Sequence, residues 1–167
     1  MRLLGAGLLW TSLIYVGAAY STKLKKRVIL LEKTIMMLEE MKIIMQYLNS
    51  PVYEMLEALS KKDYMKEFDY IHRCCSQLSS GIDFPVAWEN AVNSTVLIYK
   101  TQEKERLLQI GENLGISNTK TQLDFLNMQT LYFQEYLLKA KAQCKKYGNS
   151  STVLGALLGC MIFILVI

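Results

Sequence analysis

Residues 21–48 read STKLKKRVILLEKTIMMLEEMKIIMQYL, and this stretch decides the fold. Leu24, Val28, Leu31, Ile35, Leu38 and Met45 step by threes and fours, with Lys42 as the polar insertion. Ile29, Leu30, Met36, Met37, Ile43 and Ile44 widen the stripe. Residues three and four apart share one face of a helix, so the period is helical. No breaker separates the stripe from the residues before it, and one long helix is expected to reach about Leu48. Met36, Met37, Met41 and Met45 read as adaptable core packing.

Toward the N-terminus the stretch runs into Leu3–Tyr20, LLGAGLLWTSLIYVGAAY, 18 residues without a charge. As a helix this is ~27 Å long, close to the ~30 Å hydrocarbon core of a bilayer. Thr152–Ile167, TVLGALLGCMIFILVI, is a second uncharged run, of 16 residues. The chain holds 19 Lys and Arg and 15 Asp and Glu, and all of them except Arg2 lie between Ser21 and Tyr147. Mean hydropathy is +0.16. A polar middle between uncharged ends excludes a plain soluble domain and excludes intrinsic disorder. Two prolines and nine glycines argue against a turn-rich β sandwich.

The flanking charges decide between a cleaved leader and an anchor. Lys23, Lys25, Lys26 and Arg27 follow the first run, and only Arg2 precedes it. A signal peptide carries its positive charge ahead of the apolar region, so the run reads as an uncleaved anchor. Lys139, Lys141, Lys145 and Lys146 precede the second run. Both basic collars belong to the middle, which places it in the cytoplasm, against the anionic inner leaflet, with both termini outside. Three parts are therefore expected: an anchor over 1–21, a helical bundle over 22–150 and an anchor over 151–167. Ser151, Gly155 and Gly159 recur every fourth residue, a spacing that lets membrane helices approach closely. Glycine is also simply frequent in membrane helices. The four cysteines form no disulfide framework, as in a reducing compartment.

Within the middle, Asn49-Ser50-Pro51 ends the first helix and restarts a second, with Ser50 as N-cap and Pro51 at the first helical position. Further helices are expected over 51–59, 63–78, from 83–85 onward with Trp88, Ala91, Val92 and Thr95 on one face, and over 102–113. Gly81 suits a left-handed helix end. Thr119 and Gln122 form a capping-box pattern opening a last helix that runs to Tyr147. The fold class is thus all-α, a cytoplasmic bundle of about six helices flanked by two transmembrane helices.

Catalytic chemistry is thinly represented. His72 is the single histidine, and it neighbours Cys74 and Cys75. Adjacent cysteines point to different faces of a helix, and residues two apart do not face each other, so neither a zinc site nor a nucleophile–base pair follows. No phosphate loop is present. No enzyme activity, metal or cofactor is expected. Nucleic acid is also disfavoured. The isoelectric point of 8.8 comes from the two collars, while residues 28–138 carry ten basic and fifteen acidic groups. Ile110-Gly111-Glu112-Asn113-Leu114-Gly115 looks least like generic bundle. Gly111 falls on the apolar face, where glycine costs ~1 kcal/mol of helix propensity against alanine and implies close approach of another helix. Glu112 reads either as a solvated glutamate or as part of a recognition edge.

The chain resembles the stage III sporulation protein AB family of endospore-forming Firmicutes. The carriers are Leu3-Leu4-Gly5-Ala6, Gly81-Ile82-Asp83-Phe84-Pro85-Val86-Ala87-Trp88, Gly111-Glu112-Asn113-Leu114-Gly115 followed by Gln122, and Leu154-Gly155-Ala156-Leu157-Leu158-Gly159. The family's soluble part is similar to one cytoplasmic domain of the F-type inner-membrane platform protein of type II secretion, which carries a comparable Gly-Glu-x-x-Gly pattern. The platform protein has two such domains and this chain has one. The resemblance implies a platform subunit of the channel-like complex between mother cell and forespore, in the mother-cell-derived membrane. Its implied partners are a cytoplasmic secretion-type ATPase and the other membrane subunits, while a homo-oligomer is left open by the sequence. Phe84, Trp88, Gly111, Glu112 and Gly115 are the expected partner-binding residues, with core packing the alternative for Phe84 and Trp88. The alternative is a two-anchor membrane sensor or tether with no motor.

Overall fold

The computed structural model describes the backbone of residues 2–48, 51–66, 68–96, 98–147 and 161, and side chains from Tyr15 onward apart from 17 and 48. Those residues form six α-helices and no strand: α1 (Arg2–Leu48), α2 (Val52–Ser60), α3 (Asp69–Ser79), α4 (Phe84–Ser94), α5 (Thr101–Asn113) and α6 (Thr119–Tyr147). A single 3₁₀ turn, Asp63–Met65, precedes α3. No helix among the described residues is long and apolar enough to cross a membrane. Thr152–Ile167, with Ser151, Gly155 and Gly159, lies outside them except for Met161, as does the N-cap expected at Ser50.

The chain divides into two compact units. The first comprises residues 1–29 and 137–167, the second residues 30–136. In the first, Arg27 is buried and its Nη1 donates to Gln143 Oε1 on α6 at 3.1 Å. The other seven collar residues, Lys23, Lys25, Lys26, Lys139, Lys141, Lys145 and Lys146, are exposed. Arg27 therefore departs from the expected collar: it ties α1 to α6 instead of lying on the surface.

The second unit holds most of the core. Leu31, Met37, Leu38 and Met41 of α1 are fully buried, as are Met55, Leu56 and Leu59 of α2. Met36, expected in the core, is exposed because it sits on the opposite side of α1 from Leu38. The helix expected over 63–78 is broken. Phe68 leaves helical geometry, with φ −93° and ψ 72°. The reason lies in Phe68 and Tyr70, which are both fully buried and meet edge to face at 5.3 Å. In an unbroken helix residues two apart point to different sides, so the turn at Phe68 lets both rings enter the core. Tyr70 also meets Trp88 edge to face at 5.5 Å.

Helix ends follow local chemistry with two departures. Gly81 ends α3 with φ +85°, and the bonds Ile82 N–H to Gln77 O and Gly81 N–H to Leu78 O complete the six-residue C-terminal closure that glycine favours. Pro51 sits one residue before α2 rather than inside it. Asn118, not Thr119, caps α6, its Oδ1 accepting the Thr121 backbone N–H at 2.9 Å. At the start of α5 the Lys100 backbone N–H donates to Glu103 Oε2 at 2.7 Å, and Glu103 is buried. Arg106 stacks 3.8 Å above the Tyr132 ring and joins α5 to α6.

Candidate functional site

The segment Gly111–Gly115 closes α5 and turns the chain toward α6. Its geometry begins with Trp88, which is fully buried on α4. The indole Nε1 donates to the Leu107 carbonyl of α5 at 2.8 Å. The Cβ–Cγ–Cδ1 edge of the side chain abuts the α5 backbone at Gly111, where an added Cβ would stand 2.4 Å from Trp88 Cδ1 and 2.9 Å from Trp88 Cβ. Close approach at Gly111 is therefore real, and its partner is an indole rather than a second backbone. Phe84, half-buried, packs on the outer side of Trp88 with ring centres 5.7 Å apart.

Trp88 and Gly111 face each other in the interior, so neither presents a surface to a partner. Their packing holds the end of α5 against α4. Glu112 and Asn113 are exposed immediately beyond it. The Asn113 side-chain amide donates to the Gln109 carbonyl at 2.8 Å, across the last turn of α5.

Gly115 then takes φ +84°, a backbone conformation that a side chain disfavours. Its N–H donates to Gln122 Oε1 at 3.0 Å, and Gln122 Nε2 donates to the Ser117 carbonyl. One buried glutamine thus closes the α5–α6 loop from both sides. Gln122 acts across the loop and not as half of a capping box with Thr119. The backbone at Gly115 lies above α2, with an added Cβ 3.4 Å from Val52 Cγ2.

Between this loop and the α1–α2 corner lies an open cleft of about 380 Å³. Met45, Pro51, Val52 and Met55 form one wall, and Gly115, Thr119 and Gln122 form the other. In the same segments, Ile116 is 72% exposed and Tyr47 75% exposed. The Met45–Met55 wall, apolar and with two thioethers, suits an apolar side chain of variable shape. Of the residues picked out in sequence, Gly115 lines the cleft, Glu112 lies in the same segment, and Phe84, Trp88 and Gly111 form the support. Met45, Val52 and Met55 were not expected there. The sequence signal for them was the Pro51 restart, which turns the start of α2 back over the end of α1.

Other candidates separate. His72 is exposed whereas Cys74 is buried, so the two do not meet. Burial pushes the Cys74 thiol up to about 12, and burial raises Cys75 as well. Both thiols are thereby held protonated, the opposite of what a nucleophile needs. Among the described residues no group of three or more His, Cys, Asp or Glu could hold a metal ion.

No curated protein and no solved structure matches the chain. The family model described as stage III sporulation protein AB matches residues 2–167, and the chain belongs to that family.

Proposed function

We propose that the protein is a non-enzymatic platform subunit of the mother cell–forespore channel complex, which holds a cytoplasmic secretion-type ATPase at the membrane. The reading takes the uncharged runs 3–20 and 152–167 as anchors, the exposed lysine collars as the contact with the anionic leaflet, and the bundle as the cytoplasmic part. Family membership supports the sporulation role. The observation that carries the docking is the open cleft beneath the Gly111–Gly115 segment, with Glu112 beside it in sequence and apolar Ile116 and Tyr47 in the segments that bound it. An apolar anchor flanked by a basic residue on the motor fits that combination. Apolar burial then supplies affinity, and the charge supplies orientation.

Binding of the purified full chain to the ATPase, with and without nucleotide and at two salt concentrations, tests this. Saturable binding that weakens with salt and with Glu112→Lys is expected. A folded Glu112→Lys chain that binds as well as the parent removes the acidic edge from the reading. Absence of binding in every condition favours the sensor or tether. The unbroken 47-residue α1 suits that second reading, because a rigid helix can carry movement along its length.

A further inference from the structure

The unit formed by residues 1–29 and 137–167 carries nine Lys and Arg and no Asp or Glu. The bond from Arg27 Nη1 to Gln143 Oε1 sets α1 beside α6 within it. One helical turn rises about 5.4 Å. Lys23, Lys25 and Lys26 on α1, and Lys145 and Lys146 on α6, therefore stand within about one turn of that bonded pair. All five are exposed. The unit holds no carboxylate to offset them, and repulsion between ammonium groups crowded around one interhelical contact favours a bound anion.

Two neighbours indicate the kind of anion. Tyr20 on α1 is 49% exposed and Tyr147 on α6 is 43% exposed. Lys146 Nζ lies 5.1 Å from the centre of the Tyr147 ring. Exposed tyrosines beside lysines, close to uncharged runs, are the pattern of a membrane–water interface. Basic sites between membrane helices on the cytoplasmic side take phospholipid headgroups. A single phosphodiester brings one negative charge to a cluster of five ammonium groups. A headgroup with two phosphates brings two charges on one tether, and its second phosphate binds at the high effective concentration set by the first.

We infer that this end of the α1–α6 pair is a headgroup site selective for a phospholipid that carries two phosphates, of the cardiolipin type. The inference rests on the anchored reading above and names the lipid that this reading leaves general. A lysine held at an anionic surface is worth about fivefold in binding. A second phosphate that engages one or two of these lysines thus raises affinity by about five- to twenty-fivefold.

Native mass spectrometry of the full chain in detergent counts bound lipid. The chain is titrated with cardiolipin, phosphatidylglycerol or phosphatidylcholine at equal total phosphate. Occupancy by cardiolipin should exceed that by phosphatidylglycerol by about fivefold or more, with little phosphatidylcholine bound. The variant K25Q/K26Q/K145Q/K146Q should lower cardiolipin to the phosphatidylglycerol level. The variant K25R/K26R/K145R/K146R should keep the preference, and so should Lys120→Gln, an exposed control near the start of α6. Equal occupancy by the two anionic lipids overturns the inference, as does a four-Gln chain that binds like the parent. Displacement of cardiolipin by inorganic pyrophosphate at equal concentration also overturns it, by assigning the lysines to a soluble polyanion. Alkaline carbonate extraction of cell membranes separates the two readings. A chain that stays in the membrane yet ignores cardiolipin overturns the headgroup site alone, whereas a chain released by carbonate overturns the anchored reading and the headgroup site with it.

Discussion

Gly111→Ala offers the sharpest test of how the Gly111–Gly115 segment is held. The new methyl would stand 2.4 Å from Trp88 Cδ1, 2.8 Å from Cγ and 2.9 Å from Cβ. Carbon atoms in contact sit about 3.5–4.0 Å apart. Rotating the indole can relieve the first two clashes but not the third, because the position of Cβ is set by the α4 backbone. The two helices must therefore separate. Overpacking of this kind costs about 1–3 kcal/mol. Separation also stretches the buried Trp88–Leu107 hydrogen bond, and leaving its two groups unpaired adds about 1–3 kcal/mol. Against this, alanine recovers about 1 kcal/mol of helix propensity. Taking the middle of each range, the net expectation is a loss of about 3 kcal/mol, with overpacking and the lost hydrogen bond outweighing propensity. The same change in a Trp88→Ala background meets no indole and should stabilise by up to about 1 kcal/mol. Trp88→Ala itself should cost about 3–5 kcal/mol. Urea unfolding of the full chain and the three variants in detergent, followed by far-ultraviolet circular dichroism, yields the coupling energy directly. A coupling of about 2–4 kcal/mol supports the packing described. Additive effects, or a Gly111→Ala chain as stable as the parent, refute it.

Three further outcomes follow from buried polar groups. Gln129 is fully buried and neither atom of its amide has a hydrogen-bond partner, so Gln129→Met should stabilise by about 1–2 kcal/mol and raise the melting temperature; a melting temperature lowered by several degrees contradicts this. Glu103→Ala removes the carboxylate that accepts the Lys100 N–H and should cost about 1–2 kcal/mol in urea unfolding, through loss of the α5 N-terminal bond; a midpoint at the parent value rejects that role. The Cys74 thiol is raised to about 12 from an ordinary 9, so the folded state holds its proton where the unfolded state releases it. Its contribution to stability is thus complete below pH 9 and is lost as pH rises from 9 toward 12. The unfolding midpoint should therefore fall less steeply above pH 9 in Cys74→Ala than in the parent, and alkylation of Cys74 should need denaturant. Labelling of Cys74 in the native chain as fast as Cys144 defeats both expectations.

Much of the helix layout was legible before any coordinates. The α1 stripe, the closure at Gly81, the restart at Pro51 and the run to Tyr147 all rest on local terms, namely periodicity and the conformational limits of glycine and proline. Helix 63–78 was misread because propensity says nothing about where two aromatics must go. Phe68 and Tyr70 each look compatible with a helix, and only their joint burial breaks it. Gln122 was noticed for its spacing to Thr119, yet its bonds run to Gly115 and Ser117. Those partners come near only once the loop has closed.

The candidate site divides along the same line. By itself the sequence determined the all-α class, the concentration of positive charge in two collars, the singularity of the Gly111–Gly115 segment and membership of the sporulation family, because composition and short-range pattern survive without a fold. Tertiary structure decided that Trp88 is the close neighbour of Gly111, that Arg27 leaves the collar to bind Gln143, and that Met45, Val52, Met55 and Gly115 enclose a cleft. Each of these joins residues distant in the chain, and such contacts arise from the packing of whole helix faces, which no local pattern encodes.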